Sequence, residues 1–240
     1  MDLGACIKLI PSNGGRQNGA FLQKIASEAP RGTAIIELGT WLGAGTAQLA
    51  LGLLGRNYPP VIHCFDQWQA SRSEARLAVE RTGLVLQPGR DTLPIVKQLL
   101  EPFGASIEYH KGRIESAIWN GPPISVHVDD AAKAPDVFLH ALKTFGPYWI
   151  PGRTVVLLMD FLFHARHPKA ESKCQVDFIA AHAHCFTPIE HEFVGSARAF
   201  RYERQIDFAA LAPFARQGNL RSLTPAWLRK AGRGLYRRAA

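Results

Sequence analysis

The sequence predicts an α/β fold built on an open, mostly parallel sheet with helices on both faces. Three observations predict it. The stretch Ala34–Ala50, AIIELGTWLGAGTAQLA, reads as strand, glycine turn and helix, which is how open α/β sheets begin a ligand site. Further short apolar runs end in acids at Asp66, Asp129 and Asp160, and amphipathic stretches of helical period separate them. Near the end, His191–Val194 and Ala197–Tyr202 alternate around Gly195-Ser196, the pattern of an antiparallel closing hairpin.

In chain order, residues 1–17 read as a loop-like lead with Pro11, Gly14 and Gly15, and Asn18–Ala29 as a helix with Phe21, Leu22, Ile25 and Ala26 on one face. The first strand is Ala34–Leu38 and the next helix runs from about Ala44 to Leu54. The second strand, Val61–Phe65, ends at Asp66. Helices follow at Ser71–Arg81 and Asp91–Phe103, where Pro94 sits at an early position that tolerates its missing N–H. Strands are expected at Ser106–His110, Ile124–Val128 and Thr154–Met159, with a helix at Pro135–Phe145. A loop at Phe161–Ala170 holds His164 and His167, and a helix covers Glu171–His184.

Length and composition bound the class. With 240 residues there is room for one α/β domain and an appendage. The chain is 47% hydrophobic and 20% charged, which fits a soluble globular protein. Neither a membrane span nor a signal peptide is expected, and the expected location is the cytoplasm. Cys6, Cys64, Cys174 and Cys185 form no C-x-x-C pair, so neither a zinc knuckle nor a redox motif is indicated. The net charge of +8 is uneven: from Arg204 onward eight basic residues face one acid, Asp207, so the body is nearly neutral. That argues against a nucleic-acid partner.

The glycine spacing selects a ligand class. A dinucleotide fingerprint would be G-x-G-x-x-G, whereas here Gly39-x-x-x-Gly43-x-Gly45 follows Glu37 by two residues. The string Glu37-x-Gly39-Thr40-Trp41-Leu42-Gly43-Ala44-Gly45-Thr46 resembles motif I of class I S-adenosylmethionine (SAM) methyltransferases, in particular the macrocin-type and other small-molecule O-methyltransferases. The resemblance covers roughly Gly19–Arg204. It implies a Rossmann-like sheet of seven strands, a SAM-binding domain at 34–204, and an N-terminal lead and helix at 1–33 on the substrate side or as a lid; the charge run marks a basic tail at 205–240.

The resemblance also implies a site. Glu37, Gly39, Thr40, Trp41, Gly43, Gly45 and Thr46 would wrap the methionine end of SAM, with Asp66 on the ribose hydroxyls. Asp66 equally suits a strand-end cap, and Trp41 equally suits packing under the loop. Lys111-Gly112-Arg113-Ile114-Glu115 resembles the turn that borders adenine, with Arg113 where the family has Asp or Ser. Val126-His127-Val128-Asp129-Asp130 resembles the family's IHIDGxH strand end, with Asp130 for Gly and Ala132 for His. Met159-Asp160 stands where the family often has two acids.

Asp129, Asp130 and Asp160 end neighbouring strands and should converge on the open edge. Without a basic partner they would repel unless one is protonated or a cation sits among them; the natural cation is a hard one, Mg²⁺ first. Asp129 and Asp160 are its leading ligands, with Asp130 behind them. Asp129-Asp130 equally suit a helix N-terminus. Asp129 is also a catalytic and cofactor-binding candidate. Without a metal, His164 or His167 is the candidate general base.

The expected activity is O-methylation of a sugar or other small polyhydroxylated molecule. The alternatives are a non-catalytic SAM-fold protein acting as a membrane-peripheral partner, and an NAD(P)-dependent oxidoreductase. In the tail, residues 220–240 read as a basic amphipathic helix with Trp227 and Tyr236, which suits the inner membrane face and a lipid-linked glycan. A homo-oligomer is a further expectation.

Overall fold

A computed structural model describes residues 2–12, 18–166 and 173–214. The sheet has seven strands in the order β3-β2-β1-β4-β5-β7-β6. They are β1 (Ala34–Leu38), β2 (Val61–Asp66), β3 (Ile107–Lys111), β4 (Ile124–Asp129), β5 (Val155–Leu158), β6 (Phe186–Pro188) and β7 (Arg198–Tyr202). The first five pair in parallel, while β7 runs antiparallel to both β5 and β6. All residues of β1, β4 and β5 are buried, as expected for strands covered on both faces.

Two cores result. Leu22, Ile25, Ile35, Leu49, Val96 and Leu100 pack one face, and Ile36, Leu38, Phe138, Phe145, Trp149 and Phe178 the other. The first is covered by α2 (Gly19–Glu28), α3 (Ala44–Leu53) and α5 (Leu93–Leu100); α6 (Pro135–Phe145) and α8 (Lys173–Ala181) cover the second. At Gly52 an added Cβ would run into the Gln23 carbonyl and the Ala26 side chain, so glycine lets α2 and α3 cross closely. Helix α2 is therefore part of the core rather than a lid.

Three local readings are corrected. The lead contains a helix, α1 (Leu3–Leu9), capped by the Asp2 carboxylate, which accepts the Gly4 N–H at 2.8 Å. At seven residues it is too short to show a period against the Pro and Gly signals around it. The closing hairpin pairs β7 with Phe186–Pro188, not with His191–Val194. His191 and Phe193 instead stack on Phe21 of α2, and the Asn18 side chain accepts the Val194 N–H at 3.0 Å. Val194's backbone is thus satisfied without a strand partner. The loop after β5 contains a one-turn helix, α7 (Phe163–Arg166).

The body also runs past residue 205. Ile206 and Phe208 are buried, Phe208 packs on Trp149 at 5.2 Å, and the Ile206 N–H donates to the Tyr202 hydroxyl at 2.8 Å. The expected membrane-contacting segment, residues 220–240, lies outside the described residues, as does His167. Among the described residues no helix is long and apolar enough to cross a membrane.

Candidate functional site

The sheet order reverses between β1 and β4, since β1 leads to β2 on one side and β4 to β5 on the other. Ligands of open α/β sheets bind at such a switch point, beyond the carboxyl ends of the strands. A cavity of ≈ 440 Å³ lies there, inside the roughly 300–1,000 Å³ range of small-molecule sites. Glu37, Gly39, Thr40, Trp41, Gly45 and Asp66 line it. All six were singled out from the sequence, five of them in the glycine motif and Asp66 at the end of the second strand.

Glu37 is the centre of this wall. It sits at the penultimate position of β1 and is 4% exposed. Its Oε2 accepts the Thr46 hydroxyl at 2.5 Å and the Thr40 hydroxyl at 3.5 Å. Burial raises its pKa to about 7, against which the Thr46 bond works. Thr46 is thus buried behind the acid rather than on the cavity, and Gly43 shapes the turn from outside it. Gly43 has φ +88 and an added Cβ would press on the Leu100 side chain. Gly39 has φ +84 and an added Cβ would lie 2.9 Å from the Ala131 Cβ. Only glycine fits both positions without strain.

Gly45 is different, because it lies inside α3 with ordinary helical φ. An added Cβ there would collide with the Glu37 carboxylate. Gly45→Ala is therefore expected to fold, since alanine favours helix by about 0.5–1 kcal/mol, yet to displace Glu37. Ligand affinity should fall about tenfold or more, an effect worth roughly 1.4 kcal/mol or above. Calorimetry on the variant, beside its thermal unfolding curve, checks both halves.

Asp66 ends β2. Its Oδ2 accepts the Trp41 N–H at 2.8 Å and its Oδ1 the Trp68 N–H at 2.7 Å. It thereby holds Trp41 in a left-handed conformation, φ 46. Burial raises its pKa, opposed by those two backbone bonds. Each oxygen retains accepting capacity toward a ligand. Trp41's indole Nε1 is buried with no partner. Glu74, which the motif did not reveal, also lines the cavity while closing the capping box of α4 (Arg72–Thr82) with Ser71.

The acids after β4 and β5 are arranged differently from expectation. Asp129 is fully buried and does not line the cavity. Its Oδ1 accepts the N–H groups of Ala131 at 3.1 Å and Ala132 at 2.8 Å, so it fixes the turn that follows β4. Burial lifts its pKa to about 6. Asp130 does line the cavity, and burial pushes its pKa well up, with the Lys133 charge opposing. Asp160 is paired with Lys133, Nζ to Oδ2 at 2.7 Å.

Lys133, on the cavity wall, was not among the sequence candidates. Burial alone would lower its pKa; the Asp160 bond and the charges of Asp160, Asp130 and Asp129 outweigh that and raise it. Its ammonium is the cation that the three acids require. The argument that called for Mg²⁺ is met by this side chain: Asp160 pairs with it, and Asp129 Oδ1 is spent on a turn while Asp129 Oδ2 stays buried without a partner. With the Lys133 ammonium already 2.7 Å from Asp160, the charge argument does not require Mg²⁺. A lysine in a turn reads from sequence as a solvated charge, so no signal distinguished it.

Two other candidates are not brought to the site. Arg113 is exposed and pairs with Glu115 at 2.6 Å. His164 is half-buried on α7, with Nδ1 3.2 Å from the Phe161 carbonyl, and its pKa is lowered by burial. Neither lines the cavity.

The charge of the cavity is lopsided. Glu37, Asp66, Glu74 and Asp130 stand against Lys133 among the described lining residues. When ionised, such a wall favours a cationic ligand and disfavours a diphosphate. SAM carries a sulfonium and an ammonium, whereas a nicotinamide dinucleotide carries a pyrophosphate. The glycine walls, the buried acid and the orphaned indole N–H fit the former.

No protein-family model and no curated protein matches the chain. Solved structures do. The O-methyltransferase NovP superposes with a TM-score of 0.59 at 13% identity, covering 84% of this chain and 98% of that one. The SAH-bound methyltransferase PaMTH1 of Podospora anserina gives 0.52 at 12% identity, over 78% of each chain. A protein from Corynebacterium glutamicum gives 0.52 at 12% identity, over 82% of this chain and 84% of that one. With its sheet order, its switch-point cavity and these likenesses, the chain has the fold of the class I SAM-dependent methyltransferases.

Proposed function

We propose that the protein is a SAM-dependent methyltransferase acting on a hydroxyl of a small molecule, a sugar or another polyhydroxylated acceptor. The observation that carries this is Glu37, a buried acid with no cationic partner, facing an acidic, glycine-walled cavity at the switch point. Glu37 and the turn at Gly39–Gly45 would hold the methionine end of the cofactor, and Asp66 the ribose. When bound, the cofactor supplies an electrophilic methyl group.

The chain's own residues supply the rest. Asp130 and Lys133 share one wall of the cavity. The Lys133 ammonium would bind the acceptor oxygen and favour its deprotonation, the electrostatic work a metal ion does elsewhere. Asp130 would take the proton when ionised, the form that the Lys133 charge favours against burial. Asp129 keeps the intervening turn in place. Near-neutral charge over the body and a cavity of this size suit a small acceptor rather than a nucleic acid.

The test is calorimetric titration with S-adenosylhomocysteine (SAH) and with NAD, each with and without Mg²⁺. Micromolar SAH binding that is independent of Mg²⁺, with no NAD binding, is expected. Absence of SAH and SAM binding would sink the proposal. Binding without methyl transfer to any sugar or phenol would favour the non-catalytic reading instead.

A further inference from the structure

A second cluster of chemically competent side chains lies away from the cofactor cavity. His63 of β2 is the register partner of Glu108 on β3, and His110 follows two residues later on the same face. The three converge: His63 Nδ1 lies 3.1 Å from His110 Nε2 and 3.3 Å from Glu108 Oε2, and His110 Nε2 lies 4.0 Å from that same oxygen. A tetrahedral ion with Zn–N and Zn–O distances of about 2.0–2.2 Å separates its ligand atoms by about 3.3–3.6 Å. The three atoms therefore already stand at close to coordination spacing.

We propose that His63, Glu108 and His110 form a transition-metal site, with Zn²⁺ as its natural occupant. Two imidazoles and one carboxylate are a common zinc donor set that leaves a fourth position for water or another ligand. Glu108 is 59% exposed, so that position opens to solvent and gives the ion an entry path. The rings are held in place by packing. Phe65 stacks on His110 at 4.3 Å and 9°, and the edge of Trp119 meets His63 at 4.6 Å.

Burial lowers the pKa of both histidines, the direction that favours the neutral ring with its lone pair. Two ring nitrogens 3.1 Å apart beside a carboxylate need a proton or a cation between them. A single cation satisfies all three. Among the described residues no other group of three His, Cys, Asp or Glu side chains converges in this way. None of the three lines the cofactor cavity. The ion would tie β3, the outermost strand of the parallel side, to β2.

The experiment uses the full-length protein, free of any histidine tag and stripped with chelator. Zn²⁺ titration by calorimetry should show about one equivalent bound at micromolar affinity or better, and Zn²⁺ should raise the unfolding temperature, while Mg²⁺ does neither. Co²⁺ in place of Zn²⁺ should give the visible absorption of a tetrahedral site. Glu108→Gln, an exposed and conservative change, should weaken Zn²⁺ about tenfold or more, and His110→Asn should abolish the Co²⁺ bands. Zn²⁺ binding that is unchanged in both variants places the ion elsewhere and overturns the proposal. Wild-type binding no tighter than millimolar overturns it as well.

Discussion

Replacing Glu37 by Gln is expected to stabilise the ligand-free protein at pH 8 and to cripple cofactor binding in the same variant. Glu37's pKa rises from 4.5 to about 7 in the fold, chiefly through burial. A carboxyl with a raised folded pKa contributes stability that is fully present below pH 4.5 and is lost as pH rises through 7. At pH 8 the wild type therefore bears an ionised, buried and uncompensated acid, at a cost on the order of 3 kcal/mol. Gln carries no such charge. Denaturant unfolding at pH 5 and pH 8 should show the variant gaining on wild type by on the order of 2 kcal/mol over that interval.

The cost is recovered when a cationic ligand arrives. Ionisation of Glu37 prepares the site for an ammonium, so wild-type SAH affinity should rise about tenfold between pH 6 and pH 8. In Glu37→Gln the affinity should be weaker by about tenfold or more at pH 8, with little pH dependence. A stabilised variant that binds SAH as wild type does would show that Glu37 is only a buried structural acid. This pairing of instability with binding is what distinguishes a site residue from a core residue.

The legible parts of this protein were those set by local backbone chemistry. Gly39, Gly43 and Gly45 announce their turn because positive φ at the first two and close approach to Glu37 at the third favour glycine. Glu37 and Asp66 follow from strand ends, and parallel strands of consecutive apolar residues are visible as such. The parts that stayed hidden depend on tertiary partners. Whether Asp129 faces the cavity or its own turn is decided by two backbone N–H groups at Ala131 and Ala132. Strand spacing alone cannot distinguish those orientations. Phe193 alternates as a strand residue would, yet Phe21 takes it for the other core. Arg113 was placed by resemblance and His164 by its position after the fifth strand, and their side chains follow local partners instead.

Lys133 is where that distinction has the largest functional consequence. If its ammonium supplies the charge for the acceptor oxygen, wild-type methyl transfer should persist unchanged in chelator. Lys133→Met should then lose about 10²–10³-fold in kcat, the usual effect of removing one donor to a developing oxyanion. kcat and kcat/KM should fall together, because the interaction is made in the transition state. SAH affinity should hold, since the cofactor's grip is assigned to Glu37, the glycine turn and Asp66. The ion pair with Asp160 offers a rival account, in which lysine merely tethers β5 to the turn after β4. Lys133 is 48% exposed, so solvent screens that pair and its loss should cost little stability. Asp160→Asn separates the two accounts, because it breaks the tether and leaves the ammonium. A tether predicts equal losses in both single variants. An electrostatic role predicts that Asp160→Asn stays within about tenfold of wild type, while Lys133→Met and the double variant fall together. Equal losses, or full activity in Lys133→Met, would return the acceptor chemistry to another group on the same wall, with Asp130 the first to replace.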